Sequence, residues 1–146
     1  MFLVFHTLAL TDSCYILIPM YQKIQTPLSY GSTAVHLDLW GCSGPLTEGA
    51  TLFEHLCDIV KKYDMRLRTH SLDIWEENKA FNLWLSLQES HIQVETWPEE
   101  SFVKVTVDLC NYSRDNSQRV RDIAREIQEL FKPTGKIQVT EIVRGP

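Results

Sequence analysis

Residues 80–110 read AFNLWLSLQESHIQVETWPEESFVKVTVDLC, and the fold turns on this stretch. Phe81, Leu83, Leu85 and Leu87 alternate with Asn82, Trp84 and Ser86. A period of two sends successive side chains to opposite faces, so these residues predict a half-buried strand. Ile92 and Val94 continue the alternation in a second strand. Val103, Val105, Val107 and Leu109 alternate with Phe102, Lys104, Thr106 and Asp108 in a third. Pro98 has no amide hydrogen to give to a ladder, so residues 97–100 read as a turn between strands.

Outward from this centre the pattern changes period. Residues 34–40 read as a strand ended by Gly41, and Gly44-Pro45 marks a turn. Leu52, Phe53, Leu56, Ile59, Val60 and Tyr63 recur at helical spacing, with Thr47 or Thr51 as the expected cap. Residues 66–73 form a short strand candidate. Val120, Ile123, Ala124, Ile127, Leu130 and Phe131 share one helical stripe, which Pro133 and Gly135 end. Ile137, Val139 and Ile142 fall in a last strand. Strands joined by short turns, with two amphipathic helices among them, predict an α+β fold. Its form is a two-layer sandwich, an antiparallel sheet with two helices packed on one face. Leu83, Val94 and Val105 should meet Leu56, Ile123 and Ile127 in the core. The opposite face, with Trp84, Lys104 and Thr106, is left for a partner sheet.

The chain has 146 residues, 44% of them apolar and 23% charged, enough for one domain with a real core. Its net charge of −5 speaks against a general nucleic-acid binder, which needs a basic face to displace counterions. Cys14, Cys42, Cys57 and Cys110 form no CxxC pair and no Cys/His spacing of a metal site. They read as free thiols in a cytoplasmic setting, with no metal expected. Residues 1–29 are set apart as an N-terminal extension before a domain over residues 30–146. No Lys or Arg precedes Lys23, so the basic start of a signal peptide is missing. His6, Asp12 and Ser13 interrupt the apolar patches well short of the ~20 residues of a membrane span, so no membrane partner is expected. An extra strand, an appendage, or upstream sequence before a start at Met20 all fit this segment.

The densest set of reactive side chains lies at residues 89–99: Glu89, Ser90, His91, Gln93, Glu95, Thr96, Trp97 and Glu99. Taken alone it reads as a polar turn between strands. Neighbouring strand residues face opposite ways, so Ser90 beside His91 is not expected to form a dyad.

Glu89-Ser90-His91-Ile92, followed after an alternating strand by Thr96-Trp97-Pro98-Glu99, resembles the processing motif of the short prokaryotic S-adenosylmethionine decarboxylases. His36-Leu37-Asp38-Leu39-Trp40-Gly41-Cys42 resembles that family's first strand, and Val139-Thr140-Glu141-Ile142-Val143-Arg144-Gly145 its C-terminus. Cys110 ends the strand after the motif, where the family has its catalytic cysteine. The likeness spans about residues 30–145. It implies a proenzyme that cuts itself between Glu89 and Ser90 and leaves a covalent pyruvoyl group made from Ser90. Such a carbonyl takes the substrate amine as a Schiff base and accepts the electrons released on decarboxylation, which no ordinary side chain does.

By the same likeness, Cys110 is the acid that reprotonates the substrate carbon. Trp97 stacks on adenine, Glu99 holds the ribose hydroxyls, and Trp75 stands near a second aromatic of the adenine site. The substrate implied is S-adenosylmethionine, and the assembly implied is a homodimer. Two positions depart from the family. Glu95 stands where the family has a processing histidine, five residues after the cleavage serine, and Asn82 stands where it has a serine, eight residues before. Glu95 can act as a base, and the Asn82 amide can donate a hydrogen bond. Two other readings therefore stay open. One is a pyruvoyl enzyme acting on a basic amino acid such as ornithine or arginine, which Glu95 would hold. The other is an uncleaved relative with a structural or regulatory role.

Overall fold

A computed structural model describes residues 31–111 and 114–145; the expectations for residues 1–29 and Cys14 fall outside the described residues. The elements run β1 (Ser32–Trp40), α1 (Gly49–Lys62), β2 (Leu67–Ile74), β3 (Phe81–Leu87), β4 (Ser90–Trp97), a 3₁₀ turn (Pro98–Glu100), β5 (Phe102–Cys110), α2 (Ser117–Phe131) and β6 (Ile137–Arg144). The six strands form one antiparallel sheet in the order β2-β3-β4-β5-β1-β6. Strands β2 to β5 are consecutive neighbours, as short turns require. Strand β1 then enters between β5 and β6.

The alternating residues divide as the sequence predicts. Leu83, Leu85, Ile92, Val94, Val103, Val105 and Val107 are sealed under the helices, together with Leu56, Ile123 and Ile127. Burying each such side chain contributes about 1.5–3 kcal/mol, which fixes the register because a one-residue slip would turn the whole set outward. Trp84, Lys104 and Thr106 lie on the face without helices, and Trp84 and Lys104 are exposed.

The helix ends correct two expectations. Glu48 occupies the start of α1 without a side-chain cap, so neither Thr47 nor Thr51 caps it. Gly49 opens the helix instead, pressed so close to Leu72 and Phe81 that a Cβ there would meet Leu72 Cδ1 at 2.7 Å. At the other end Asp64 takes φ +54°, and Met65 N–H reaches back to the Val60 carbonyl at 2.9 Å. This is a left-handed closure that satisfies the last carbonyls. Helix α2 ends at Lys132 with φ +45°, one residue before Pro133.

Candidate active site

The turn from β3 to β4 sets Ser90 in register with Leu87 on one side and Leu109 on the other. Ser90 has φ +149°, a region that favours glycine. Holding a serine there costs on the order of 1–3 kcal/mol and persists only where neighbours enforce it. The strain changes where the side chain points. Ser90 Oγ comes within 3.2 Å of His91 Nδ1, against the expectation that the two face opposite ways. That expectation assumes regular strand dihedrals, and Ser90 does not have them.

The Glu89–Ser90 junction is held from the neighbouring strand. Cys110 N–H donates to the Glu89 carbonyl oxygen at 2.8 Å, which polarises the carbonyl and gives a donor to negative charge forming on that oxygen. The Cys110 thiol lies beside the same junction. Although Cys110 is exposed overall, partial burial pushes its pKa up, helped by Asp108 and Glu89 and opposed by Arg144 and a hydrogen bond with Ser90. A raised pKa keeps the sulfur protonated near neutral pH, as an acid needs and a nucleophile does not.

Behind these groups stands Asn116, fully buried at the start of α2. Its side chain makes no helix cap. The amide donates instead to the Glu89 carboxylate and to the Cys110 carbonyl, the latter at 2.8 Å. Asp108 faces His91 across β4 and β5 and is 8% exposed. Its Oδ2 pairs with Arg144, while its buried Oδ1 has no hydrogen-bond partner among the described residues. The His91 ring is stacked on Trp84, with centroids 4.2 Å apart and planes 12° apart.

At the other end of β4 lies a second group. Trp75, Asn78, Ala80, Glu95, Thr96 and Trp97 line a cavity of about 230 Å³. Asn78 donates to Glu99, and that hydrogen bond lowers the Glu99 pKa. Trp97 packs at 5.4 Å from Phe102, and Lys104 Nζ lies 5.5 Å from its ring centre. Gln93 Nε2 bridges Asn82 Oδ1 at 3.3 Å and Glu95 Oε1 at 3.0 Å.

Ser90, Glu89 and Cys110 are thus brought together, and so are Trp75, Glu95, Trp97 and Glu99. The two sets are not. Five steps of strand separate Ser90 from Glu95, about 16 Å, and seven separate it from Trp97, about 23 Å. Within one chain, Glu95 and Asn82 do not reach the Glu89–Ser90 bond. His91, Asp108, Asn116 and Arg144 complete the Ser90 end and were given no role from the sequence. For Asn116 the only local signal is an asparagine before a helix, which reads as a cap.

A family model described as S-adenosylmethionine decarboxylase matches residues 33–145. The S-adenosylmethionine decarboxylase proenzyme of Clostridium botulinum (strain Langeland) is 26% identical over 126 residues, covering 81% of this chain and 97% of that protein. The proenzyme of the same name from Methanococcus maripaludis (strain C7) is 32% identical over 113 residues, covering 75% of this chain and 85% of its own length. A crystal structure of the adenosylmethionine decarboxylase from Aquifex aeolicus VF5 superimposes with a TM-score of 0.62 at 19% identity, over 77% of this chain and 88% of that one. At that identity the last likeness speaks for the fold alone.

Proposed function

The chain belongs to the S-adenosylmethionine decarboxylase family, and on that premise we propose that it cuts itself at Glu89–Ser90 and works as a homodimer. Decarboxylation of S-adenosylmethionine is the activity that family carries, and it supplies the aminopropyl donor for spermidine synthesis. The observation that carries the self-cleavage is the strained Ser90, with the adjacent Glu89 carbonyl held by Cys110 N–H at 2.8 Å.

Ser90 Oγ attacks the Glu89 carbonyl carbon. The C–N bond breaks, and an ester links Glu89 to Oγ with a free amine on residue 90. Loss of the Cα proton to solvent base breaks the Cβ–Oγ bond and releases Glu89 as a carboxylate. Water then replaces the enamine nitrogen, which leaves as ammonia, and a pyruvoyl group heads the second fragment. The surroundings fit such a group, since the strain lies at Ser90, the Cys110 thiol hydrogen-bonds with it, and the buried Asn116 holds Glu89 and Cys110 beside it. When formed, it supplies the electron sink for decarboxylation. Cys110, protonated near neutral pH, is placed to deliver a proton to the substrate carbon.

Substrate binding belongs to the other end, with Trp75 and Trp97 for the adenine ring and Glu99 for ribose hydroxyls. A cavity of about 230 Å³ is small beside the roughly 300–1,000 Å³ of ligand pockets, and Glu95 and Trp97 of its lining belong to the face without helices. Two copies packed through that face in antiparallel fashion would set the Trp97 end of one against the Ser90 end of the other. The same pairing would bring Asn82 and Glu95 of one copy near the cleavage bond of the other. A cytoplasmic setting agrees with the free thiols of Cys42, Cys57 and Cys110.

Glu95 lining the cavity favours a second substrate class, basic amino acids. Intact-mass measurement should find fragments 1–89 and 90–146, the second blocked by a carbonyl, while Ser90→Ala stays whole. Labelled carbon dioxide should be released from S-adenosylmethionine and not from ornithine or arginine. Release from the amino acids alone would reassign the substrate, and a wild-type chain that stays whole would favour a non-enzymatic role.

A further inference from the structure

We propose that His91 is the base that activates Ser90 for self-cleavage, acting within the same chain. The inference rests on the self-cleavage reading above and adds to it the group that takes the serine proton. His91 Nδ1 lies 3.2 Å from Ser90 Oγ, within reach of proton transfer, whereas Glu95 of the same chain is about 16 Å away along the strand and could approach only from a second copy. The ring is held in place by its stack on Trp84 at 4.2 Å. Asp108 is its cross-strand partner, and the buried Asp108 Oδ1 lacks a hydrogen-bond partner among the described residues. A carboxylate so placed stabilises the imidazolium that proton transfer creates, so Asp108 is a positioning residue.

The proton balance closes on this one ring. As Oγ bonds to the Glu89 carbonyl carbon, the Oγ proton passes to Nδ1. As the C–N bond breaks, the imidazolium returns that proton to the departing nitrogen, and the imidazole is neutral again. The oxyanion formed between these events sits on the Glu89 oxygen that Cys110 N–H already holds. A base must be neutral before it acts, and His91 is. Burial lowers its pKa, with Arg144 and His36 adding to the shift and Asp108 opposing it. The carboxylates of Glu89 and Asp108, the Arg144 guanidinium and the Cys110 thiol are the other titratable groups around the junction, and the raised pKa of the thiol leaves it uncharged in the same range.

The test follows cleavage of the full-length chain, freshly made as proenzyme, by intact mass at several pH values. His91→Phe keeps a flat ring on Trp84 and removes the nitrogen, and it should slow cleavage by about 100-fold or more. His91→Ala should be slow as well and recover part of its rate in added imidazole. Wild-type cleavage should slow on acidification as His91 takes up a proton, and that acidic limb should vanish in His91→Phe. Near-ultraviolet circular dichroism identifies any variant that has lost its fold, and the limb and the imidazole response are read only from folded protein. If folded His91→Phe cleaves at the wild-type rate, or if Glu95→Gln rather than His91→Phe removes the acidic limb, His91 is not the base and the self-cleavage reading stands. A wild-type chain that never cleaves removes both.

Discussion

The two ends of strand β4 are built differently. Around Ser90 the groups belong to one chain and are tightly tied, with Asn116 fully buried, Asp108 nearly so, and a backbone bent out of the strand region. Around Trp97 the groups are open. Trp75 is 52% exposed, and the cavity between the tryptophans is small, about 230 Å³. Chemistry on the chain's own backbone needs its atoms fixed before anything binds, so it belongs where packing enforces strain. A small-molecule site needs a surface that another wall can close. On the reading proposed above, the end that would make the cofactor is complete in a single chain, while the end that would use it needs a second copy.

Dilution is the strongest test of that difference. If the substrate pocket needs two copies and cleavage needs one, diluting the protein below its dimerisation constant should abolish carbon dioxide release. The first-order rate constant of fragment formation should not change. Analytical ultracentrifugation locates the dilution at which dimers part. Cleavage that falls in step with turnover would mean that both ends depend on the partner, as Asn82 and Glu95 acting across the interface would require.

Asn116→Ala gives the next largest effect. It takes one donor from the half-buried Glu89 carboxylate and leaves the Cys110 carbonyl without the side-chain amide. Leaving a partly buried acceptor without its donor costs up to about 1–3 kcal/mol. Thermal unfolding of the uncleaved Ser90→Ala chain, with and without Asn116→Ala, should show a lower Tm. An unchanged Tm would mean that water replaces the amide and that the Ser90 end is less closed than described.

The sequence made the sheet readable and left most of the cleavage end hidden, for a physical reason. Phe81 to Leu87 and Val103 to Leu109 announce their faces because a period of two has one structural meaning, and Pro98 announces its turn because it lacks a donor. The insertion of β1 between β5 and β6 depends on long-range pairing that no local pattern carries. Ser90, Cys110, Trp97 and Glu99 were visible only through a family likeness. His91 stayed hidden because one dihedral at Ser90 reverses the rule that adjacent strand residues face apart. Asn116 stayed hidden because its local role at a helix start is so common that it masks the distant one. The missing helix cap at Thr47 and Thr51 reflects packing of Gly49 on Leu72 taking precedence over a hydroxyl bond.

At the open end, Trp97→Ala should weaken substrate binding by about 1–3 kcal/mol, by analogy with stacking of bases on aromatic rings. The loss should fall on affinity measured with cleaved enzyme, and fragment formation should remain measurable. Removing the ring also frees Lys104, whose ammonium lies 5.5 Å from its centre. A loss in turnover with no loss in affinity would place Trp97 with the reacting groups rather than with adenine.

The smallest effect sharpens the comparison through pH. Glu99 has its pKa lowered by the hydrogen bond from Asn78. A lowered carboxyl pKa means that the charge persists as pH falls below the ordinary carboxylate range. Ribose binding through Glu99 should then survive acidification over which His91 gains its proton and cleavage slows. Asn78→Ala removes the bond and lets the Glu99 pKa rise again. Near neutral pH the carboxyl is ionised with or without that bond, so affinity there should change by no more than about twofold, the usual scale for an exposed substitution. The effect should appear only at low pH, as an earlier loss of affinity in Asn78→Ala than in the wild type. Titrating cleaved enzyme with substrate from neutral to acidic pH measures it. A large loss already at neutral pH would mean that Asn78 itself meets the substrate, and that this end holds more of its ligand within one chain than its small cavity suggests.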